Sequence, residues 1–293
     1  MQEGRVAIII VNWNTGNCLA DCLRSLASTP DKGMVEEVIV VDNASSDRSI
    51  VQAKQVVSDT TNKPTVRFII NDRNLGFAAA NNLGLRRLEE RGSTAHVLLL
   101  NPDTIVLPGM IKNMVTLLDR NERVGIVGPK LLNADKTLQP SVRNFPGAKE
   151  MILFTLKLGA KVKEARIDYG QEQAVEQVMG AVFMIRQECR QQVGYLDDGF
   201  FVWFEEVDYC RQARNLGWEV WYTPSAQGIH LGGVSFRQVV GIRKNWPWLK
   251  SMLRYTRKYL STPLVVLIYL ISSVNVLLWI PASIKQWWQR GEG

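Results

Sequence analysis

The sequence predicts an α/β fold in which helices flank a mostly parallel central sheet. Short apolar runs recur along the first part of the chain, and stretches with helical spacing of apolar side chains separate them. Such alternation of strand and helix is typical of βαβ units, whose strands pair in parallel. Polar side chains follow each of the first four runs directly. In open parallel sheets this edge, beyond the carboxyl ends of the strands, is where ligands bind.

The predicted elements follow one another in a regular order. The first two strands contain mostly consecutive Ile and Val residues, as buried parallel strands do. The stretch from about Asn17 to Ser28 has its Leu and Cys residues at helical spacing, and a later helix follows Pro108, a favourable first-turn residue. The predicted strands are Val6–Val11, Val38–Val41, Val66–Ile70, Val97–Leu100, Val124–Val127 and Val178–Ile185, and further helices are predicted after Asp47 and over Phe77–Glu90.

The composition is that of an ordinary globular protein. Of the 293 residues, 46% are apolar and 22% are charged, which argues against a disordered chain. The four cysteines include no CxxC pair, so we expect reduced thiols rather than a disulfide framework or a metal site. The chain begins MQEGR and continues directly into VAIIIV. That apolar run is too short for a secretory signal, so we expect a protein that is not secreted.

The net charge of +7 is concentrated near the C-terminus. No acidic residue occurs between Glu219 and Glu292, whereas nine basic residues do. A localised basic segment favours an anionic partner, and the candidates are nucleic acid, anionic lipid and a phosphorylated acceptor. The basic residues are Arg237, Arg243, Lys244, Lys250, Arg254, Arg257, Lys258, Lys285 and Arg290.

Two acidic residues follow predicted strands directly. Asp103 stands on a turn made by Pro102, where a carboxylate commonly holds a divalent cation that neutralises a diphosphate. It can equally cap the helix that follows. Asp42 can accept hydrogen bonds from a ribose or a base, or it can form an Asx-turn with Asn43. The residues alone leave both pairs of alternatives open.

The segment FEEVD, Phe204–Asp208, places three carboxylates beside several aromatic residues. Acids packed among aromatic rings tend to have raised pKa values, which suits a general base. The same acids also favour the first turn of a helix, predicted over Glu205–Leu216, because of the helix dipole. His230 lies in the glycine-rich segment GIHLGG, which fits a ligand or phosphate contact better than a core position. His96, at the start of an apolar run, is expected to be structural.

Two common nucleotide-binding motifs are absent from the sequence. A Rossmann dehydrogenase needs GxGxxG after its first strand, but that turn reads NWNTGN here. Neither GxxxxGKS nor GxxxxGKT occurs, which excludes a P-loop enzyme.

Six segments resemble those of family-2 glycosyltransferases, and most of all the bacterial rhamnosyltransferase-like branch. In chain order they read VAIIIVNWN, VIVVDNASSD, NLGFAAANNLG, LLLNPDT, FFVWFEEVDYCRQARNLGW and IHLGG. One segment alone would be a weak signal, but six in register over residues 5 to about 235 are highly specific. The resemblance implies a GT-A fold, with its Rossmann-like α/β sheet. It also implies inverting transfer of a sugar from a nucleoside-diphosphate sugar.

The resemblance implies roles for individual residues. Glu206 falls at the position of the catalytic base, beside Glu205, where the family has a Glu–Asp pair. Asp103 falls at the metal-binding acid of a DXD-like motif that offers only one carboxylate here, with His230 as a further ligand for Mg²⁺ or Mn²⁺. The implied donor-binding residues are Val11, Trp13, Asp42, Asn74, Asn82 and Asp103, and the implied acceptor-binding residues are Trp203 and Asp208.

The C-terminal part of the chain differs in character from the rest. Leu264–Ile280 is apolar except for four residues, and Lys250, Arg254, Arg257 and Lys258 precede it. A spanning helix needs roughly 20 apolar residues, so the segment predicts a helix that spans a membrane or lies in its interface, with the basic flank on the cytoplasmic side. A helix buried against the catalytic domain is the alternative. We therefore predict a GT-A domain over 1–236 and a basic, apolar, membrane-associating helical extension over 237–293.

The function hypothesis combines these features. We expect an inverting glycosyltransferase at the cytoplasmic face of the cell membrane that uses a nucleotide sugar, with dTDP-rhamnose suggested by the branch, and no nucleic-acid partner. Its acceptor is expected to be a glycan carried on polyprenyl diphosphate, because an anchored enzyme with basic flanks suits such an acceptor. The alternative is a catalytically inactive sugar-nucleotide-binding or scaffold protein on the same fold. Donor hydrolysis or sugar transfer by the purified protein separates the two.

Overall fold

A ten-stranded sheet forms the centre of the protein in a computed structural model, which describes residues 4–61, 63–156, 167–234 and 242–273. The main strand order is β3-β2-β1-β4-β11-β6-β12-β5, with β7 beside β6 and β9 beside β12, while β8 and β10 pair separately. The strands are β1 (Val6–Asn12), β2 (Val35–Asp42), β3 (Val66–Ile70), β4 (His96–Leu100), β5 (Thr104–Val106), β6 (Val124–Leu132), β7 (Leu138–Gln139), β8 (Val142–Arg143), β9 (Gln173–Val175), β10 (Gln177–Val178), β11 (Val182–Ile185) and β12 (Glu219–His230).

The helices cover both faces of this sheet. They are α1 (Cys18–Ser28), α2 (Ser49–Asp59), α3 (Phe77–Glu90), α4 (Met110–Arg120), α5 (Ala148–Thr155), α6 (Gln187–Val193), α7 (Glu205–Asn215) and α8 (Ile242–Tyr259), with a short 3₁₀ helix at Pro30–Met34. Residues 262–273 are also helical. Alternate residues of β1 point to opposite faces, so Ile8 packs with α1, α2 and α4, whereas Ile9 packs with α3, α6 and α7.

The α/β prediction is confirmed, and the sheet has two halves of different strand direction. β1 pairs in parallel with β2 and β4, and β2 pairs in parallel with β3. Beyond β4 the sheet becomes mixed, because β11 runs antiparallel to both β4 and β6. The parallel half collects the carboxyl ends of its strands at one edge, as βαβ units do.

Two strand predictions need correction. The predicted strand Val178–Ile185 is interrupted by a turn at Gly180, so β10 and β11 belong to different sheets. The long strand β12 has no counterpart among the predicted elements. It contains Pro224, which cannot donate a hydrogen bond to a neighbouring strand, and its register with β6 shifts between Thr223 and Gln227 to accommodate that interruption.

Helix α8 packs against the part of the chain around the start of α7. Its Leu249, Met252 and Tyr255 are buried in a cluster with Phe200, Phe204 and Val207 from the region around the start of α7. Ile268, from the helical residues 262–273, joins the same cluster. α8 ends before Leu264–Ile280, the segment for which a packed helix is the alternative, so the choice between membrane contact and packing stays a prediction for that segment.

Part of the predicted membrane segment lies outside the described residues. The structure describes Leu264–Ile280 only as far as residue 273, and the predicted domain boundary between 236 and 237 also falls outside the description. Among the helices that are described, none combines the length and the apolar character needed to cross a membrane.

Two residues of the predicted basic flank, Arg254 and Lys258, form ion pairs within the protein. Arg254 forms an ion pair with Asp197, 2.5 Å between Nη2 and Oδ1. Lys258 lies between Asp197 and Asp208, with Nζ 2.6 Å from Oδ1 of Asp208. Acidic partners that lie far back in the sequence therefore neutralise these two charges, while Lys250 and Arg257 remain exposed.

Candidate active site

A cavity of about 320 Å³ opens at the carboxyl ends of β1 and β4. Its walls also include the start of α7, the end of β12 and the turn between β10 and β11. The structure brings together eight of the residues that the sequence singles out. They are Val11, Trp13, Asn74, Asp103, Trp203, Glu205, Glu206 and His230.

β12 delivers His230 to Asp103. The strand pairs antiparallel with β5, which places His230 opposite Thr104. The Nε2 atom of His230 then lies 3.3 Å from Oδ1 of Asp103, and both side chains are nearly buried. Burial acts to raise the pKa of Asp103, but the hydrogen bond from His230 and its charge outweigh burial, so the pKa is lowered. Asp103 is therefore a carboxylate at neutral pH and is able to bind a cation.

The alternative role of Asp103 as a helix cap is not observed. The residue before α4 is Gly109, whose left-handed backbone starts the helix. The carboxylate of Asp103 instead accepts a bond from the backbone N–H of Val234 at 3.4 Å. Carboxylate oxygen and imidazole nitrogen are suitable ligands for Mn²⁺. Within the described parts of the chain, no group of three or more His, Cys, Asp or Glu side chains is arranged to hold a metal, so Asp103 and His230 offer two ligands.

The acid pair Glu205–Glu206 begins α7 and faces the cavity. The chain enters the helix through Trp203 and Phe204, whose φ angles are +63° and +71°. Left-handed backbone at such residues costs roughly 1–3 kcal/mol each, and such strain clusters at functional sites. The strained turn sets the direction in which the first residues of α7 point.

Neither glutamate has a full set of partners. The Oε2 atom of each is buried and has no hydrogen-bond partner among the described residues. Burial, and then the charge of Glu206, raise the pKa of Glu205 well above its ordinary value. Burial also raises the pKa of Glu206, although the nearby Arg143 acts against this. A buried carboxyl with a raised pKa at a cavity wall suits proton transfer.

Asp42 lies just outside the cavity wall, in a buried polar cluster at the end of β2. Its Oδ1 accepts hydrogen bonds from Asn12 Nδ2 at 2.8 Å and from Ser45 Oγ at 2.6 Å, and its Oδ2 accepts from the backbone N–H of Ser45 at 3.1 Å. The neighbouring Asn43 lines the cavity instead. A turn-forming role is therefore present, and a donor-binding role for Asp42 stays a prediction.

Two further predicted residues, Asn82 and Asp208, do not line the cavity. Asn82, in α3, uses both ends of its amide on the backbone of Leu196, donating to the carbonyl at 2.8 Å and accepting from the N–H at 3.0 Å. Asp208 is fully buried and is bonded to Lys258 and Tyr259 of α8. Both side chains thus connect parts of the fold, and neither lines the cavity.

A glycine in the NLGF segment lets the aromatic wall approach. Gly76 has a φ of +87°, and a Cβ atom there would stand 2.4 Å from the carbonyl oxygen of Phe201. The next residue, Phe77, donates its backbone N–H to that same oxygen at 2.6 Å. Only glycine fits both the backbone conformation and the contact. This contact ties the loop before α7 to the N-terminus of α3.

The family model described as Glycosyl transferase family 2 matches residues 7–181, which is more than half of the chain. This chain belongs to glycosyl transferase family 2. The matched range includes Asp103 and ends at Ala181, before α7 and before His230. The protein is accordingly a glycosyltransferase, as its resemblance to that family implies.

Relatives with assigned activities include several rhamnosyltransferases. The chain is 26% identical over 238 residues to an N-acetylglucosaminyl-diphospho-decaprenol L-rhamnosyltransferase of Mycobacterium tuberculosis, covering 76% of this chain and 75% of the relative. It is 25% identical over 221 residues to a dTDP-rhamnosyl transferase of Shigella flexneri, covering 75% and 67%. These likenesses place it in the rhamnosyltransferase-like branch of the family.

Solved structures share the fold. The mannosyltransferase of Pyrobaculum calidifontis in complex with GDP-Man and Mn²⁺ matches with a TM-score of 0.57 at 15% identity, over 96% of this chain and 82% of the other. GalNAc-T7 with UDP, GalNAc and Mn²⁺ matches with a TM-score of 0.62 at 14% identity, over 87% of this chain. The chain spans 48% of the length of GalNAc-T7. At such identities the likeness establishes the GT-A fold.

Sequence reasoning missed several residues that line the cavity of this family-2 glycosyltransferase. Arg143, at the end of β8, contributes positive charge to the wall beside Glu206. Gly180 lies against Glu206, because a Cβ atom there would meet the Cβ of Glu206 at 3.3 Å. Gly180 lies inside the predicted strand Val178–Ile185, and a glycine at such a position is a signal of a turn or of a close approach to a neighbouring residue. Arg143 is a single charge in a polar stretch, and nothing local distinguishes it.

Proposed function

We propose that this family-2 glycosyltransferase moves a sugar, with inversion, from a nucleoside-diphosphate sugar to a hydroxyl group of a glycan acceptor. The observation that carries the proposal is that one cavity contains two acidic features. One is an acid pair whose Oε2 atoms have no hydrogen-bond partner among the described residues, and the other is an ionised aspartate beside a histidine. The first group suits proton removal from an acceptor. The second suits a cation that faces a diphosphate.

Glu206 is assigned as the general base. It is the more exposed of the two glutamates, and Arg143 favours its ionised form, whereas Glu205 is almost fully buried. In the proposed step the Glu206 carboxylate accepts the proton of the acceptor hydroxyl, and the oxygen attacks the anomeric carbon of the donor from the opposite face. The bond from that carbon to the diphosphate breaks as the new glycosidic bond forms. A single displacement of this kind inverts the anomeric configuration and needs no enzyme nucleophile.

Asp103 and His230 are assigned to hold a divalent cation. When bound, such a cation stabilises the negative charge that grows on the leaving diphosphate. The pair fits this role because a carboxylate oxygen and an imidazole nitrogen stand 3.3 Å apart at the cavity wall. Two structures of the same fold contain Mn²⁺ together with a nucleotide or nucleotide sugar, which supports Mn²⁺ or Mg²⁺ as the cofactor.

The names of the relatives support a rhamnose donor and a lipid-linked acceptor. One is called a dTDP-rhamnosyl transferase, and another acts on N-acetylglucosaminyl-diphospho-decaprenol. We assign dTDP-rhamnose as donor and a glycan on polyprenyl diphosphate as acceptor, met at the cytoplasmic face of the membrane. The helical residues 262–273 support membrane contact, because Val266, Leu267 and Leu270 are between 44% and 63% exposed while Ile268 packs inward.

A transfer assay tests the reaction. The full chain is incubated with dTDP-rhamnose, MnCl₂ and a synthetic N-acetylglucosaminyl-diphospho-polyprenol, and the anomeric configuration of the product is read by NMR. We expect a rhamnosylated lipid of inverted configuration, and its loss when excess chelator is added. Product with retained configuration contradicts the mechanism. Donor binding in a thermal-shift assay, without transfer or hydrolysis, favours the inactive binding protein instead.

Flotation with anionic liposomes tests the membrane contact. The double variant Leu267→Ser/Leu270→Ser removes two exposed apolar side chains and is expected to float less than the wild type. Val51→Ser is the matched control, because Val51 is 61% exposed on α2. Equal flotation of all three proteins contradicts a role for this face.

A further inference from the structure

The polar stretch between β6 and β8 contains a glutamine whose function is not explained by the reaction above. Gln139, the last residue of β7, lies opposite Leu131 of β6. Its side chain reaches across to the end of β12. There its Oε1 stands 2.8 Å from Nδ1 of His230, and its Nε2 donates to the backbone carbonyl of His230 at 3.2 Å.

The orientation of this amide follows from its neighbours. The carbonyl of His230 only accepts, so the nitrogen end of Gln139 must face it. The same nitrogen donates to Oδ1 of Asn133 at 3.0 Å. Asn133 is fixed in turn, because its own Nδ2 donates to the carbonyl of Leu138 at 3.3 Å. A flipped Gln139 would set oxygen against oxygen at both places, so Oε1 is the atom that faces His230.

This orientation determines where His230 carries its proton. An amide oxygen accepts, so Nδ1 of His230 bears the hydrogen, and Nε2 of the neutral ring is left with a lone pair. That lone pair is 3.3 Å from Oδ1 of Asp103. Asp103 and His230 are only 6% and 7% exposed. Two nearly buried acceptors so close together repel each other unless a proton or a metal cation lies between them, and a bound cation takes the place of the proton that His230 otherwise donates to Asp103.

We propose that Gln139 is a positioning residue that holds His230 in the Nδ1–H tautomer and so presents Nε2, with Asp103, to a divalent cation. The inference rests on the metal assignment of the proposed function. Histidines that bind metals typically donate their second ring nitrogen to an oxygen acceptor in this way, and loss of that acceptor typically weakens metal affinity about 10–100-fold.

The tautomer is measurable in the wild-type chain without any substitution. The protein contains two histidines, so long-range ¹H–¹⁵N spectra of ¹⁵N-histidine-labelled protein show two ring systems. His96 is an internal reference for the Nε2–H tautomer. Its Nδ1 accepts a hydrogen bond from the backbone N–H of Gln187 at 3.2 Å, so its own hydrogen is on Nε2. At a pH where both rings are neutral, we expect one Nδ1–H and one Nε2–H histidine. Two Nε2–H histidines overturn the inference.

Mn²⁺ binding, followed by electron paramagnetic resonance with dTDP present, tests the consequence. We expect Gln139→Leu to bind Mn²⁺ about 10–100-fold more weakly than the wild type, and to lose the Nδ1–H signal of His230 while His96 is unchanged. Gln173→Leu is the control. Gln173 also donates to backbone carbonyls, at 2.8 and 3.3 Å, but does not line the cavity.

The remaining outcomes separate this inference from the function on which it rests. If Mn²⁺ binds the wild type and Gln139→Leu equally well, while Asp103→Asn loses it, the role of Gln139 is refuted and the metal site stands. If the wild type binds no Mn²⁺, both the role of Gln139 and the metal site are refuted. Sugar transfer measured in the presence of chelator then tests the glycosyltransferase reaction independently of a metal.

Discussion

The two sides of α7 place similar carboxylates in opposite situations. Glu206 and Asp208 lie within one turn of the helix, one beside the cavity and the other beside α8. The Oε2 atom of Glu206 is buried without a partner among the described residues. Asp208 is fully buried too, but Lys258, Tyr259 and Gln212 all reach it, at distances of 2.6 to 2.8 Å.

The difference shows that burial alone does not decide the role of an acid. A buried carboxylate with cationic and hydroxyl partners is stable as a charge and can fasten two elements together. A buried carboxyl without them is held closer to its neutral form, and that makes it suitable for proton transfer at neutral pH. We therefore propose that the side of α7 beside the cavity serves chemistry, whereas the side beside α8 attaches that helix.

The largest expected effect concerns the side beside the cavity. Glu206→Gln removes the proposed base but keeps the shape of the side chain, so kcat should fall about 10²–10⁴-fold. Rates of sugar transfer at saturating donor give the measurement, with the melting temperature as a check on folding. Turnover that survives in Glu206→Gln but is abolished in Glu205→Gln would move the base to Glu205.

The next effect concerns the side beside α8. Asp208→Ala leaves Lys258 without one of its two acidic partners and removes a buried charge network, which should cost about 3 kcal/mol of folding free energy. For a protein of this size that corresponds to a melting temperature lower by roughly 6–10 °C. Asp21→Ala is the control, because its pair with Arg24 is exposed and such pairs are worth about 0–1 kcal/mol. Equal melting temperatures for both variants would contradict the comparison.

A smaller effect links the burial of Glu205 to the pH dependence of stability. In the unfolded chain Glu205 has a pKa of about 4.3. In the folded protein, burial and then the charge of Glu206 raise this pKa well above its unfolded value. Between the two pKa values the unfolded state releases a proton that the folded state keeps, so stability falls as pH rises through this window. Glu205→Gln has no proton to lose there. Its melting temperature relative to the wild type should therefore rise as the pH is raised above the pKa of the unfolded chain, and a difference that is constant with pH would refute the argument.

The smallest effect concerns Arg143. Its positive charge lowers the pKa of Glu206, against the larger raising effect of burial. Arg143→Gln should therefore move the acidic limb of the kcat/KM profile to higher pH, so that the loss of activity is greatest below neutrality. Lys130→Gln, a basic residue outside the cavity lining, should leave the limb in place. A limb that does not move in Arg143→Gln means that the titrating group is not Glu206.

Much of the fold and part of the site could be predicted because the signals are local. Runs of Ile and Val marked β1 and β2. Trp13 and Asp103, which follow β1 and β4, line the cavity as the rule for parallel sheets requires. The N-terminus of α7 was likewise signalled by adjacent acids. The sequence signals failed where the structure depends on a distant partner. In β12, Pro224 interrupts the strand pattern in the sequence, and the strand forms by pairing with β6.

By itself, then, the sequence determined the alternation of strands and helices in the parallel half, the edge where the site forms and the family. The tertiary structure decided which buried polar groups meet. In the folded protein His230 lies beside Asp103 and Gln139 contacts His230. Asn82 is hydrogen-bonded to the backbone of Leu196, and Asp208 is hydrogen-bonded to α8. The physical reason is that most buried polar atoms in a folded protein are paired, since an unpaired one costs free energy. Which partner such an atom finds depends on chain segments far apart in sequence, and no local pattern records that choice.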